Sequence, residues 1–240
     1  MSNPILPPAA VLVGGLGTRI RSVGGPTPKV LLPIEGRPFL LHLLDHIAAQ
    51  GVRRVVLCLG YGAEAVWEAA RTGAPEGVEL IASHEDEPLG TGGAVRRALV
   101  HFEDTFFVLN GDTFLDGSLD ALLECHRSHR ALLTLSLTRS ERAVEKGSVA
   151  VTPEGKVLSF DEKTEEGTGL INAGVYVFDS DVFRRVPEGP ISLEREIIPD
   201  VLQAGGSVAA RIVEGAFVDI GLPEDYMAVR DRLPGSEGGR

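Results

Sequence analysis

Four short, continuous apolar runs occupy the first half of the chain, at residues 9–13, 54–59, 78–82 and 105–109. Between them, apolar residues recur at helical spacing, which predicts helices at 39–49, 63–71 and 92–100. A strand with one solvated face alternates apolar and polar residues. These runs do not alternate, so helices must cover both faces, as they do when crossover helices join parallel strands. The pattern therefore predicts a doubly wound, mostly parallel α/β sheet. In such sheets ligands bind outside the carboxyl ends of the strands.

The rhythm changes after a helix at 118–129 and a strand at 131–137. Strands at 148–151, 157–160 and 172–178 are separated by turn signals such as Pro153-Glu154-Gly155, which predicts mixed or antiparallel pairing. Residues 193–203 read as a helix that Pro199 restarts or kinks. Strands at 207–213 and 217–219 precede a closing helix at 223–232 with Pro223 at its start, and residues 234–240 are expected to fray.

Composition removes several classes. The 240 residues, 43% of them hydrophobic, suffice for one large domain, and no repeat of solenoid length is visible. A net charge of −11 argues against sequence-independent nucleic-acid binding, which needs a basic footprint. No apolar run reaches the roughly 18 residues of a membrane span, and the N-terminus lacks a basic region followed by an apolar one. A cytoplasmic protein, with no membrane partner, is the expectation. Cys58 and Cys125 have no CxxC or Cys/His ligand spacing and are expected to be reduced thiols.

Two strand ends carry candidate chemistry. The first is Gly14-Gly15-Leu16-Gly17-Thr18-Arg19-Ile20-Arg21, with Pro28-Lys29 downstream. Small residues let backbone N–H groups wrap an oxyanion, and Arg19, Arg21 and Lys29 concentrate positive charge in an acidic chain. A dinucleotide fingerprint wants glycine where Ile20 stands, and a Walker loop wants a Gly-Lys-Ser/Thr ending that is absent, so neither fits. A tight turn alone is the competing reading. The second is Asn110-Gly111-Asp112, where Asp112 is either a turn cap or an oxygen ligand for Mg²⁺. Asp219, before Ile220-Gly221, has the same look, and two such acids could clamp a metal between phosphates. Taken alone, Glu162-Lys163 reads as a surface charge pair.

The motifs also come in a particular order. The glycine loop with Lys29 is followed by Gly36-Arg37-Pro38, Glu87-Pro88-Leu89-Gly90-Thr91-Gly92-Gly93 and Asn110-Gly111-Asp112. Then come Gly147, Glu162-Lys163, Asn172-Ala173-Gly174 and Asp219-Ile220-Gly221. From about residue 9 to residue 227 this series resembles the sugar-1-phosphate nucleotidyltransferases, or nucleotide-sugar pyrophosphorylases. It is most similar to the short guanylyltransferases acting on mannose 1-phosphate and D-glycero-D-manno-heptose 1-phosphate.

The resemblance implies a Rossmann-like fold of the nucleotide-diphospho-sugar transferase type in one domain over residues 1–240. A nucleotide-binding half would run to about residue 130, and a mixed β sugar-binding lobe would occupy about 131–232. It implies that Gly14, Gly15, Gly17 and Thr18 hold the nucleotide's phosphates. Arg19 would stabilise their charge, and Lys29 would contact phosphate as the α-phosphorus is attacked. Leu89, Gly90 and Thr91 would pack beside the base, and Asp112 and Asp219 would hold Mg²⁺. Gly147, Glu162 and Asn172 would meet the sugar hydroxyls and Lys163 the sugar phosphate. Ser192-Leu193-Glu194 would stand near the sugar, with an ordinary helix N-cap as an equal reading.

The implied partners are a nucleoside triphosphate, GTP first, and a sugar 1-phosphate, and a homodimer is compatible with the resemblance. A β-helix extension with acyltransferase activity is not expected. Because the sugar phosphate is already an anionic nucleophile, catalysis needs positioning and charge neutralisation rather than a general base. The six histidines are accordingly expected to be structural or solvated. Rival readings are uridylyl or thymidylyl transfer to a hexose 1-phosphate, a cytidylyltransferase on another alcohol phosphate, a nucleotide-sugar-binding regulator, and a Rossmann oxidoreductase.

Overall fold

The computed structural model describes residues 5–140, 148–161 and 169–233. In chain order its strands are β1 (Ala9–Leu12), β2 (Pro33–Ile34), β3 (Arg37–Pro38), β4 (Arg54–Leu59), β5 (Glu79–His84), β6 (Thr105–Asn110) and β7 (Thr113–Leu115). They continue with β8 (Leu133–Ser140), β9 (Ser148–Val151), β10 (Val157–Asp161), β11 (Gly169–Asp179), β12 (Val208–Ile212) and β13 (Phe217–Asp219). The chain divides into two units. The first takes Met1–Pro88, Leu109–Asp116 and Gly215–Arg240, and the second Leu89–Val108 and Gly117–Glu214.

In the first unit the strand order is β6-β1-β4-β5, with the end of β6 at the edge. β1 pairs in parallel with β4, and β4 with β5. Ala9, Ala10 and Val11 are fully buried, as is β4 from Val55 to Leu59. This is why these segments show no alternation. Helix Phe39–Ala49 buries seven apolar side chains, from Phe39 to Ala48, and so reads as nearly continuous. Helix Ala63–Gly73 buries only Val66 and Ala70 and keeps a polar outer face.

In the second unit the order is β12-β8-β11-β6, with the start of β6 at the edge. β12 is parallel to β8 and β11 antiparallel to it, while β9 and β10 form a separate antiparallel pair. The predicted change to mixed pairing is therefore found. Helix Leu119–Ser128 starts at Ser118, whose hydroxyl accepts from the Ala121 N–H at 3.1 Å. An aromatic cluster forms the core here: Phe102 stacks on Phe106 at 4.2 Å, and Phe183 meets Phe178 edge-on at 4.9 Å. Residues Leu193–Ile197 wind as a π-turn and give way to helix Ile198–Gln203, with Pro199 in its first turn. Pro199 restarts the helix, as its missing N–H requires. Among the described residues no helix is long and apolar enough to cross a membrane.

Candidate active site

The first unit gathers the phosphate and metal candidates. β1 runs into the glycine loop, which is tied to the end of β4: the Val13 N–H donates to Cys58 O at 3.2 Å and the Tyr61 N–H to Gly14 O at 3.1 Å. A Cβ on Gly14 would lie 2.7 Å from Glu85 Oε1 and 2.9 Å from Gly60 N, so only glycine lets these strand ends close up. Gly17, in the left-handed region at φ 57°, starts a 3₁₀ turn over Thr18–Ile20. Thr18 and Arg19 are exposed on that turn. Ile20, which breaks the dinucleotide fingerprint, is 2% exposed and anchors the loop in a core with Leu32, Ile34, Phe39 and Phe114. The Arg21 guanidinium lies over the Tyr61 ring, 5.6 Å from its centroid.

Lys29 opens the next 3₁₀ turn, Lys29–Leu31, and its ammonium pairs with the Asp112 carboxylate. The Gly111 N–H donates to Leu12 O at 2.9 Å, holding the end of β6 against the end of β1. β7 then pairs antiparallel with β13, with Asp219 opposite Thr113, and the Ile220 N–H donates to Asp112 O at 3.0 Å. This short ribbon brings Asp112 and Asp219 together. Asp219 Oδ1 accepts from the Gly221 N–H at 2.7 Å. Asn110 Oδ1, at the end of β6, is buried with no hydrogen-bond partner among the described residues. The sequence offers Asn110 only as part of Asn110-Gly111-Asp112, with no role of its own, because an amide two residues from an aspartate carries no spacing signal.

Asp112, just before β7, and Asp219, on its partner β13, with further acceptor oxygen at Asn110, fit a hard divalent cation by donor chemistry. Among the described residues no group of three or more His, Cys, Asp and Glu converges.

The second unit holds a different set. The Thr91 hydroxyl donates to Glu194 Oε2 at 2.8 Å and accepts from the Leu193 N–H at 2.8 Å. Leu89 O accepts from the Ile191 N–H at 2.9 Å, so the segment starting at Leu89 is stitched to the one before the π-turn. A Cβ on Gly90 would sit 2.7 Å from Ile191 O. Asn172, on β11, donates through Nδ2 to the Tyr176 hydroxyl at 2.6 Å. Glu194 and Tyr176 thus join Thr91 to Asn172. The sequence offered Glu194 only as part of Ser192-Leu193-Glu194, and Tyr176 reads from sequence as a core residue of a strand. Gly147, Glu162 and Lys163 lie outside the described residues.

Two of the histidines are occupied structurally. His46 packs on Phe114 at 4.7 Å, and His126 bonds the Thr134 hydroxyl at 3.0 Å. Burial lowers the pKa of both. For His46 the nearby Asp116 charge and a Leu115 backbone bond oppose the shift. Burial, reinforced by the Glu85 charge, pushes the Cys58 thiol far up, so Cys58 is an inert core thiol.

A glycine loop after β1, a lysine–aspartate ion pair at the end of β6 and a second aspartate on the antiparallel β7–β13 ribbon make up the donor set of the first unit. The sequence pattern of the nucleotidyl transferase family matches residues 9–234, so the chain belongs to that family. It is similar to the mannose-1-phosphate guanylyltransferase of Mycobacterium tuberculosis, 42% identical over 224 residues, which cover 91% of this chain and 62% of that protein. It is also similar to the D-glycero-alpha-D-manno-heptose 1-phosphate guanylyltransferase of Campylobacter jejuni, 34% identical over 219 residues, or 91% of this chain and 96% of that one. Among solved structures, HddC from Yersinia pseudotuberculosis in complex with GMP-PN matches with a TM-score of 0.83 and 33% identity, covering 93% and 98% of the two chains. The chain thus spans about three fifths of the mannose-1-phosphate relative and nearly all of the heptose relative.

Proposed function

We propose that this chain transfers a nucleotidyl group from a nucleoside triphosphate to a sugar 1-phosphate, giving a nucleotide sugar and pyrophosphate. GTP with mannose 1-phosphate or a manno-heptose 1-phosphate is the preferred pair, since guanylyltransferases on those sugars are the relatives at 42% and 34% identity. The observation that carries the reading is the Lys29–Asp112 ion pair at the strand ends of the first unit, with Asp219 on the strand whose next residue bonds the Asp112 carbonyl.

A phosphate oxygen of the sugar 1-phosphate bonds to the α-phosphorus while the bond from that phosphorus to the β,γ-bridged leaving group breaks. Pyrophosphate departs with the electron pair, and no proton need move first. The chain's part is to hold both anions in line and to offset the charge that builds on the equatorial oxygens. In this reading the N–H groups of Gly14, Gly15, Gly17 and Thr18 cradle the triphosphate, and Arg19 neutralises charge on the phosphates. Lys29 gives its ammonium to the reacting phosphate, exchanging a carboxylate partner for a phosphate one. Asp112 and Asp219 would hold Mg²⁺, which supplies charge neutralisation and template geometry for the phosphates. Leu89, Gly90 and Thr91 take the base side. Asn172, with Gly147 and Glu162, takes the sugar hydroxyls, and Lys163 takes the sugar phosphate. A cytoplasmic location and a homodimer are compatible with this reading.

The test is pyrophosphate release with Mg²⁺, crossing GTP, UTP, dTTP, CTP and ATP with mannose-, glucose- and manno-heptose 1-phosphates. Release above background from GTP with a manno-configured sugar is the expected result. Release only with UTP or dTTP and glucose 1-phosphate would move the chain to the uridylyl or thymidylyl class. Silence from folded protein that still binds a nucleotide sugar would favour a regulatory binder.

A further inference from the structure

The second unit contains a hydrogen-bond network whose direction is set by one carboxylate. Glu194 accepts from three hydroxyls: Thr91 Oγ1 at 2.8 Å and Ser192 Oγ at 3.1 Å on Oε2, and the Tyr176 hydroxyl at 3.3 Å on Oε1. An ionised carboxylate only accepts, so each of these hydroxyls must spend its single proton on Glu194. Each is thereby left as an acceptor, and each has a donor in place. The Leu193 N–H donates to Thr91 at 2.8 Å, the Arg195 N–H to Ser192 at 3.2 Å, and Asn172 Nδ2 to Tyr176 at 2.6 Å. Asn172 Oδ1 accepts in turn from the Gly174 N–H at 3.1 Å. Both ends of the Asn172 amide are assigned: Oδ1 by the Gly174 backbone N–H, and Nδ2 through Tyr176 by Glu194.

The backbone is shaped for this contact. Four residues of regular strand span roughly 13 Å, too far for Asn172 to bond Tyr176 along β11. The register against β8 shifts between them: Asn172 faces Leu137 and Tyr176 faces Leu135, so three residues of β11 oppose one of β8. Gly174, at φ 74°, forms the turn of this bulge, and the Val175 N–H leaves the ladder to bond Ser136 Oγ at 3.2 Å. The bulge draws the Asn172 amide onto a buried tyrosine hydroxyl.

We propose that Glu194 is a positioning residue for the transfer reaction. Through Tyr176 it fixes the amide of Asn172 toward the sugar, and directly it fixes the hydroxyl of Thr91 on the nucleotide side. This rests on the substrate roles assigned to Asn172 and Thr91 above. Glutamine at 194 brings two N–H donors into a site of three donors, so at least one hydroxyl must turn around. If Tyr176 turns, its proton faces the Asn172 Nδ2 donor, so the amide must either leave the tyrosine or flip its own N–H against that of Gly174.

The experiment has a structural and a kinetic readout, each on the full chain. The side-chain amide resonances of Asn172 are followed by NMR in wild type, Tyr176→Phe and Glu194→Gln, with thermal midpoints as the folding control. Glu194→Gln, which does not touch Asn172, should move the Asn172 amide signals as Tyr176→Phe does. In steady state, Tyr176→Phe should raise KM for the sugar 1-phosphate about tenfold and leave KM for the nucleotide within about twofold, whereas Glu194→Gln should raise both. Unmoved Asn172 signals in Glu194→Gln would overturn the proposal. So would moved signals with an unchanged sugar KM, which would make the network purely structural. If wild-type protein transfers nothing while the amide signals respond as expected, the reaction assignment fails and the network stands as a structural device only.

Discussion

Lys29 and Asp112, on separate loops of the first unit, form an ion pair at the carboxyl ends of its strands. Their side chains are 16% and 27% exposed, so each charge is partly withdrawn from water and is held there by the other. A triphosphate and its cation would meet the same two groups with both charges exchanged for better partners: phosphate for the lysine, metal for the aspartate.

Asp112→Asn removes the carboxylate and almost no volume. Turnover should fall about a hundredfold or more in a chain that still folds, with a lowered thermal midpoint because Lys29 loses its partly buried partner. Near-normal turnover in that variant would refute the metal assignment of Asp112.

Gly14→Ala tests the closeness of the glycine loop to its neighbours. The added methyl would lie within 3 Å of both Glu85 Oε1 and Gly60 N, and a backbone nitrogen cannot swing aside as a side chain can. The variant should lose about 1–3 kcal/mol of stability and bind nucleotide more weakly. Urea unfolding and nucleotide titration read the two effects, and an unchanged midpoint would contradict the packing described here.

The aromatic core of the second unit gives a prediction about stability alone. Phe106 is fully buried between Phe102, Phe178 and Phe183, and Phe106→Ala should cost about 3–5 kcal/mol. Denaturant unfolding checks it, and a cost under about 1 kcal/mol would mean the cluster is not a packed core.

His46 and His126 make stability depend on pH. Burial puts the folded-state pKa of each below the ordinary 6.5, so between that lowered value and 6.5 the unfolded chain binds more protons. Their contribution is full above pH 6.5 and is lost as pH falls through that window. Urea midpoints at pH 7.5 and 5.5 should drop more for wild type than for the double variant His46→Gln, His126→Gln. Parallel drops would remove the histidines from the account.

Much of the fold was legible because burial and periodicity agree. The run at 54–59 is β4, and the helix at 39–49 has the predicted ends, since in both cases the apolar pattern stops where burial stops. The helix predicted at 92–100 instead covers Gly90–Ala98 and tightens into a 3₁₀ turn over Leu99–His101, because its first turn is held by the Thr91 bond to Glu194 and the Gly92 and Gly93 N–H bonds to Ile191 O rather than by any local signal. β7 was not foreseen. Three residues after a turn carry no period, and Thr113–Leu115 is a strand only because β13 pairs with it. That pairing is what unites Asp112 with Asp219, so sequence order could nominate both acids while their meeting waited on tertiary structure. The same holds for Tyr176 and Glu194, whose link to Asn172 depends on a bulge that only strand register reveals.

The most direct measurement uses GTP labelled at the α-phosphate, incubated with Mg²⁺ and mannose 1-phosphate or a manno-heptose 1-phosphate, with products separated and identified by mass. The label should pass to a guanosine diphosphate sugar, with unlabelled pyrophosphate released in equal amount. Label recovered as GDP with free phosphate, or left wholly in GTP by folded protein, would contradict nucleotidyl transfer to these sugars.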